Sequence, residues 1–166
     1  MTKYHKSIIS IGSNMGNRLS NCQKGIDALA LTDKIFIEAE SNFYKTEPVD
    51  YLDQDWFANC AVKIKTALDP FELLNELKRI EATSGRKSGP IKFGPRILDL
   101  DLIFFDDILL QTPDLIIPHP RMHKRRFVLV PLCDIEPDIL HPLYHKGIKT
   151  ILDQLDENGQ KVYRLA

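Results

Sequence analysis

The chain has 166 residues, 43% of them hydrophobic, and a formal net charge of −1. That length suits one globular domain spanning 1–166, which would bury roughly two-thirds of the surface its unfolded form exposes. No apolar run reaches the ~20 residues of a membrane-spanning helix, "MTKYHKSIIS" lacks the apolar stretch and cleavage site of a secretory signal, and near-neutral charge argues against bulk nucleic-acid binding. A cytoplasmic monomer with no membrane or nucleic-acid partner is expected. Cys22, Cys60 and Cys133 show no CxxC or Cys/His spacing. Neither a disulfide framework nor a zinc site is suggested, and reduced, mostly buried thiols are expected.

In chain order, residues 7–11 read as a first strand closing in the turn Gly12-Ser13-Asn14. A helix is expected over 18–31, with Leu19, Cys22, Ile26, Leu29 and Ala30 at helical spacing and Asn17 as N-cap. Residues 34–44 read as one long strand, 45–55 as a polar loop of functional length, and Phe57 to Thr66 as a third strand. Asp69-Pro70 opens a second helix, with Phe71, Leu74, Leu77 and Ile80 assigned to its apolar face. "TSGRKSGPIKFGPR" reads as a second mobile loop delivering the chain into a strand over 97–106. A short strand at 115–117, a helix at 125–133 and a helical turn at 150–155 follow. The order βαββαβ predicts an α+β, ferredoxin-like sandwich, an antiparallel sheet with helices on one face, plus a C-terminal extension.

The segment "FGPRILDLDLIFFDD" carries the chemistry. In a strand, Asp99 and Asp101 share a face about 7 Å apart while Leu98, Leu100 and Leu102 point the other way. Two neighbouring, partly buried carboxylates need a cation or a basic partner between them. Magnesium suits them, because it takes few carboxylate oxygens and completes its octahedron from water and phosphate. The alternative is a solvated face or pairing with arginines. Residues 78–96 hold six Lys/Arg against one acid, Glu81, and "HPRMHKRR" holds four with two histidines, His119 and His123. Arg86, Arg96, Arg125 and Arg126 supply forks for phosphate oxygens, and His119 a further hydrogen bond. An i,i+4 metal pair of His119 and His123 would need a helix, against which Pro118 and Pro120 argue. Phe57 and Asn59 share a strand face, and Phe127 follows the arginine pair. Aromatics beside a bifunctional amide suit a flat heterocycle, although aromatics at strand starts also serve as core. "GSNMGN" lacks the spacing of a phosphate loop and reads as a tight strand-to-helix turn.

These pieces resemble the 6-hydroxymethyl-7,8-dihydropterin pyrophosphokinase family over residues 10–138. The carriers are "IGSN" (11–14), "FYKTEP" (43–48), "FAN" (57–59), "RIE" with "GR" (79–86), "FGPRILDLDL" (93–102), "IPHPRM" (117–122) and "RRFVLVPL" (125–132). The resemblance implies a ferredoxin-like fold and transfer of pyrophosphate from ATP to the pterin's hydroxymethyl group, a step of folate biosynthesis. It also implies two Mg2+ ions held by Asp99 and Asp101. The pterin slot would lie between Phe57 and Phe127, with Asn59 reading the ring edge and the backbone at Thr46 and Val49 contributing. Glu81, Arg86, Arg96, His119 and Arg125 would contact ATP, with Arg86 and Arg96 among the catalytic groups. Asp50, Ser88, Phe93 and Pro120 depart from the family pattern. Rival readings are a γ-phosphoryl kinase, a non-catalytic pterin- or nucleotide-binding module, and a ferredoxin-like RNA-binding domain, which two adjacent acids on the sheet disfavour.

Overall fold

The computed structural model describes residues 1–85, 93–156 and 158–165. Strand β1 (His5–Ser13) leads into helix α1 (Arg18–Leu31), whose first turn is fixed by the Asn17 side chain accepting from the Ser20 N–H. Strands β2 (Ile35–Glu40), β3 (Tyr44–Thr46) and β4 (Phe57–Thr66) follow. Helix α2 (Pro70–Thr83) starts at a capping box in which Asp69 and Glu72 each accept the other's backbone N–H. Such reciprocal pairing settles two otherwise orphan donors at a helix start. Strand β5 (Asp99–Phe105) completes the βαββαβ core, and the antiparallel order β5-β1-β4, with β2 and β3 both against β4, is the ferredoxin-like arrangement.

The expected strand over 34–44 is two strands. Glu40 lies opposite Val62 and Tyr44 opposite Asn59, so one extra residue is accommodated between β2 and β3. The Ser41 hydroxyl takes the Ala61 N–H at 2.8 Å at that break. In α2 the core face is Leu73, Leu77 and Ile80, whereas Phe71 is 42% exposed. A spacing of three residues slips about 60° per step around an α-helix, so Phe71 and Ile80 cannot share a face.

Beyond β5, the short strands β6 (Leu110–Gln111) and β7 (Ile116–Ile117) pair, and helices α3 (Arg126–Ile135) and α4 (Ile148–Asp153) follow. The last strand, β8 (Val162–Arg164), returns to the main sheet beside β3. β6 and β8 are too short to carry an alternating pattern, and the sequence reading has neither. The strand expected over 97–106 is shorter, and the helices cover both sheet faces rather than one. Ile9, Ile11, Leu100 and Leu102 pack with α1 and α2, while Ile8, Ile103 and Phe104 pack with α3 and α4. The switch is a bulge. Ile9 opposes Leu102 and Ile8 opposes Phe104, so Ile103 is the extra residue and the side-chain parity changes there.

Cys22 and Cys60 are buried and Cys133 half-buried, all as thiols. The hydrogen bond with Cys22, then burial, pushes the Cys60 thiol pKa up, which keeps it protonated and inert. Among the described residues, no helix is long and apolar enough to cross a membrane.

Candidate active site

The α3/α4 layer covers only part of its sheet face. Where it stops, at the start of α3, the sheet is left open as a cleft. Strand alternation decides what lines it. Ile9 and Ile11 turn to the α1/α2 core and leave Ser10 and Gly12 to the cleft; Ala58 and Cys60 do the same for Phe57 and Asn59, and Leu100 and Leu102 for Asp99 and Asp101. The remaining walls are Thr46 to Asp50, Phe93 to Arg96, and Arg125 with Phe127.

The expected pterin residues Thr46, Val49, Phe57, Asn59 and Phe127 therefore all reach one cleft, and so do Arg96, Asp99, Asp101 and Arg125. Asn59 is held firmly. Its Nδ2 donates to the Ile11 carbonyl at 3.2 Å, and its Oδ1 accepts a short hydrogen bond from the Thr46 hydroxyl. Gly12 is the close-approach position. A Cβ there would sit 2.6 Å from Asn59 Nδ2, so the carboxamide lies where it does only because Gly12 has no side chain.

Arg125 donates to Asp50 at 3.2 Å, with its guanidinium 5.4 Å from the Phe127 ring centroid. Asp50 has φ of +64° and Phe93 +58°, both in the left-handed region that glycine occupies without penalty. The Phe93 ring lies 4.8 Å from the Arg121 guanidinium. Arg86 and Ser88 lie outside the described residues.

His119 lies at the far side of Asp101. A second, open groove on the outer flank of β5 is lined by Asp101, Leu100, Leu102, His119 and Pro120 among others. Asp101 is thus common to both spaces. His119 Nδ1 accepts the Arg121 N–H at 3.2 Å, which leaves Nε2 to carry the proton of the neutral ring. Burial, then Arg125 and Arg121, lower its pKa to about 4 against a smaller opposing pull from Asp99, so the ring is neutral near pH 7. Glu81 stands apart from the cleft. It is 7% exposed, and its Oε2 accepts the outward N–H of Leu100 on edge strand β5 at 2.8 Å.

One joint escaped the sequence reading, which gave the "GSNMGN" turn little functional weight. Asn14, 3% exposed, binds Arg96 through both backbone and side chain, and its Nδ2 donates to Gln54 Oε1 and the Asp55 carbonyl. Gln54 passes the link on to the carbonyls of Tyr51 and Phe93. Asn14 ends the "IGSN" motif that carries the resemblance, but the motif gives no sign of these bonds.

The donor set can be tested against a metal. Asp99 and Asp101 are half-buried on one face, and among the described residues no third His, Cys, Asp or Glu joins them in a group able to hold a metal alone. Two carboxylates beside arginines fit a hard cation that takes its other ligands from water and phosphate oxygens.

Residues 8–137 match the model of the 7,8-dihydro-6-hydroxymethylpterin-pyrophosphokinase family. The chain belongs to this family. It is 42% identical over 127 residues to the 2-amino-4-hydroxy-6-hydroxymethyldihydropteridine pyrophosphokinase of Bacillus subtilis, covering 76% of this chain and 75% of that protein. The Aquifex aeolicus pyrophosphokinase of the same name is 38% identical, with 85% and 86% covered. The folic acid synthesis protein FOL1 of Dictyostelium discoideum is 40% identical over 82% of this chain, and the chain spans only 20% of its length. The crystal structure of wild-type Plasmodium falciparum HPPK-DHPS with pterin and p-hydroxybenzoate superimposes with a TM-score of 0.73 at 17% identity, over 93% of this chain and 43% of that one. At that identity the likeness speaks for the pyrophosphokinase fold alone.

Proposed function

We propose that this pyrophosphokinase-family chain transfers the pyrophosphoryl group of ATP to the hydroxymethyl oxygen of 6-hydroxymethyl-7,8-dihydropterin. The observation that carries the reading is one cleft holding both chemistries, the Phe57/Asn59/Phe127 slot and the Asp99/Asp101 pair with Arg96 and Arg125.

The pterin lies between Phe57 and Phe127, where aromatic faces suit a planar ring and exclude water. Thr46 and Val49 supply backbone groups, and Asn59, held by Thr46 and Ile11, reads the ring edge. The triphosphate lies along the arginine side and reaches the second groove past Asp101, where neutral His119 presents its Nε2–H. The hydroxymethyl oxygen attacks the β-phosphorus, a new O–P bond forms as its proton passes to solvent, the bond from that phosphorus to the α,β-bridging oxygen breaks, and AMP leaves. Asp99 and Asp101 would hold Mg2+, which would screen the phosphate oxygens and acidify the attacking hydroxyl. Arg96 and Arg125 meet charge building on the transferred group, the work arginines do in phosphoryl transfer generally. Arg86 belongs to this set by family pattern.

The test is nucleotide product analysis with purified protein, MgATP and the pterin, beside Asp99→Ala and Asp101→Ala. AMP that requires pterin and magnesium and collapses in both variants supports the reading. ADP would make the chain an ordinary kinase, and pterin binding without turnover a binding module.

A further inference from the structure

Gln160 lies beyond the segment matched by the family model, which ends at residue 137. It is 6% exposed, although it sits in the polar segment just before β8. Two of its polar groups bond to residues that line the cleft, and a third to Arg126 next to them. Nε2 donates to the Glu47 carbonyl at 2.6 Å, Oε1 accepts the Phe127 N–H at 3.1 Å, and its own carbonyl accepts Arg126 Nε at 3.0 Å.

The two bonds of the side chain tie together two adjoining parts of the cleft lining that come from different segments of the chain. Glu47 lies between Thr46 and Val49 on the loop side, and Phe127 is the ring on the helix side. Helix α3 begins without a side-chain N-cap of its own, so the Phe127 N–H would be an orphan donor; Gln160 meets it from 33 residues away. β8 strengthens the same brace. The Glu47 N–H donates to the Lys161 carbonyl at 2.9 Å, and Tyr163 stacks on Trp56, beside Phe57, with ring centroids 6.1 Å apart and planes 5° from parallel.

We infer that Gln160 is a positioning residue for the pterin, setting the separation of the loop wall at Glu47 and the helix wall at Phe127. The inference rests on the pyrophosphokinase reading above. Because its side chain bonds the Glu47 carbonyl and the Phe127 N–H, beside Thr46 and the Phe127 ring of the pterin slot, its main effect falls on the pterin rather than on ATP.

The experiment uses the full chain with Gln160→Met, which keeps the length and volume of the side chain but deletes both bonds. Gln160→Glu keeps the acceptor for Phe127 N–H and sets a carboxylate oxygen against the Glu47 carbonyl. KM and kcat are measured for pterin and for MgATP, pterin binding by fluorescence, and folding by thermal melts. The expected result is a rise of about tenfold in pterin KM for Gln160→Met, equal to ~1.4 kcal/mol of binding, with MgATP KM within about twofold of wild type. Gln160→Glu raises pterin KM in the same selective way, and it carries the test should Gln160→Met fail to fold. Unchanged pterin KM in a folded variant, or equal rises in both KM values, overturns the inference. Wild-type protein that makes no AMP from pterin overturns the functional reading instead, and fluorescence titration of the variants then still decides whether Gln160 governs pterin affinity.

Discussion

Asn14 and Arg96 grip each other twice: the Asn14 N–H donates to the Arg96 carbonyl at 3.0 Å, and the Arg96 N–H donates to Asn14 Oδ1 at 2.8 Å. With Nδ2 on Gln54, one carboxamide ties the end of β1, the loop over 47–56 and the approach to β5 into a single frame. Asn14→Ala leaves several buried groups unmet. A loss of about 1–3 kcal/mol is expected, seen as a Tm lowered by roughly 3–10 °C. Turnover should fall by more, because Arg96 and the loop both lose their anchor. Asn14→Asp retains the acceptor for Arg96 but not the donor for Gln54, and should fall between the two; melts and steady-state kinetics on both proteins measure this.

Gly12 faces Asn59 across β1 and β4 and Asp99 across β1 and β5. In Gly12→Ala the new methyl must displace the Asn59 carboxamide, breaking its bonds to Ile11 and Thr46. Loss of such a bond in a buried site costs about 1–3 kcal/mol, so pterin KM should rise roughly tenfold or more while MgATP KM changes little. Equal effects on both substrates would mean that the methyl disturbs the carboxylate side as well.

Asp50 pairs with Arg125 at a left-handed position that asparagine tolerates better than most other non-glycine residues. Asp50→Asn keeps the backbone and removes the competing charge, and MgATP KM should fall by about two- to fivefold, the size of an exposed ion pair. The advantage should shrink at high salt, where exposed charges are screened. A KM that rises would show that the carboxylate positions Arg125 instead of occupying it.

His141 is buried between Phe104, Tyr144 and His123, and its Nδ1 accepts the N–H groups of Leu143 and Tyr144. Burial first, then the charges of His123 and His145, bring its pKa from 6.5 to about 4. The unfolded chain takes up this proton near pH 6.5 and the native one only near 4, so the stability tied to the neutral ring is complete above 6.5. It is lost as pH falls from 6.5 towards 4 and changes no further below. His119 titrates in the same window. His141→Asn keeps an acceptor for the turn and removes one titrating group, so the slope of stability against pH should drop by up to about 1.4 kcal/mol per pH unit. Urea melts at pH 6.5, 6.0 and 5.5 measure it; identical slopes would exclude His141 as a source.

Local signals were the legible ones. Asn17 and Asp69-Pro70 announce α1 and α2 because capping chemistry is written within a few residues, and the Leu/Asp alternation over 98–102 gives the faces of β5 directly. What brings Phe57, Asn59, Asp99 and Arg125 to one place is strand order and the docking of α3; the element order announced the sandwich, and only the family resemblance joined these side chains in one site in advance. Asn14 to Gln54 and Gln160 to Phe127 are single bonds between distant residues with no period to reveal them. Glu81 is a further case. Its family pattern points to the nucleotide, and nothing in the sequence marks its bond to the Leu100 N–H.

Strand β1, only residues 5–13, is flanked by 57–66 on one side and 99–105 on the other. Pairings this distant in sequence close late, after the entropy of long loops has been spent. The cleft needs both of them and then the docking of α3, so no fragment of the chain carries a weakened version of it. During renaturation, helical circular dichroism should recover before the ability to quench pterin fluorescence, and the interval between the two is the lifetime of a chain that has its secondary structure but no place to bind.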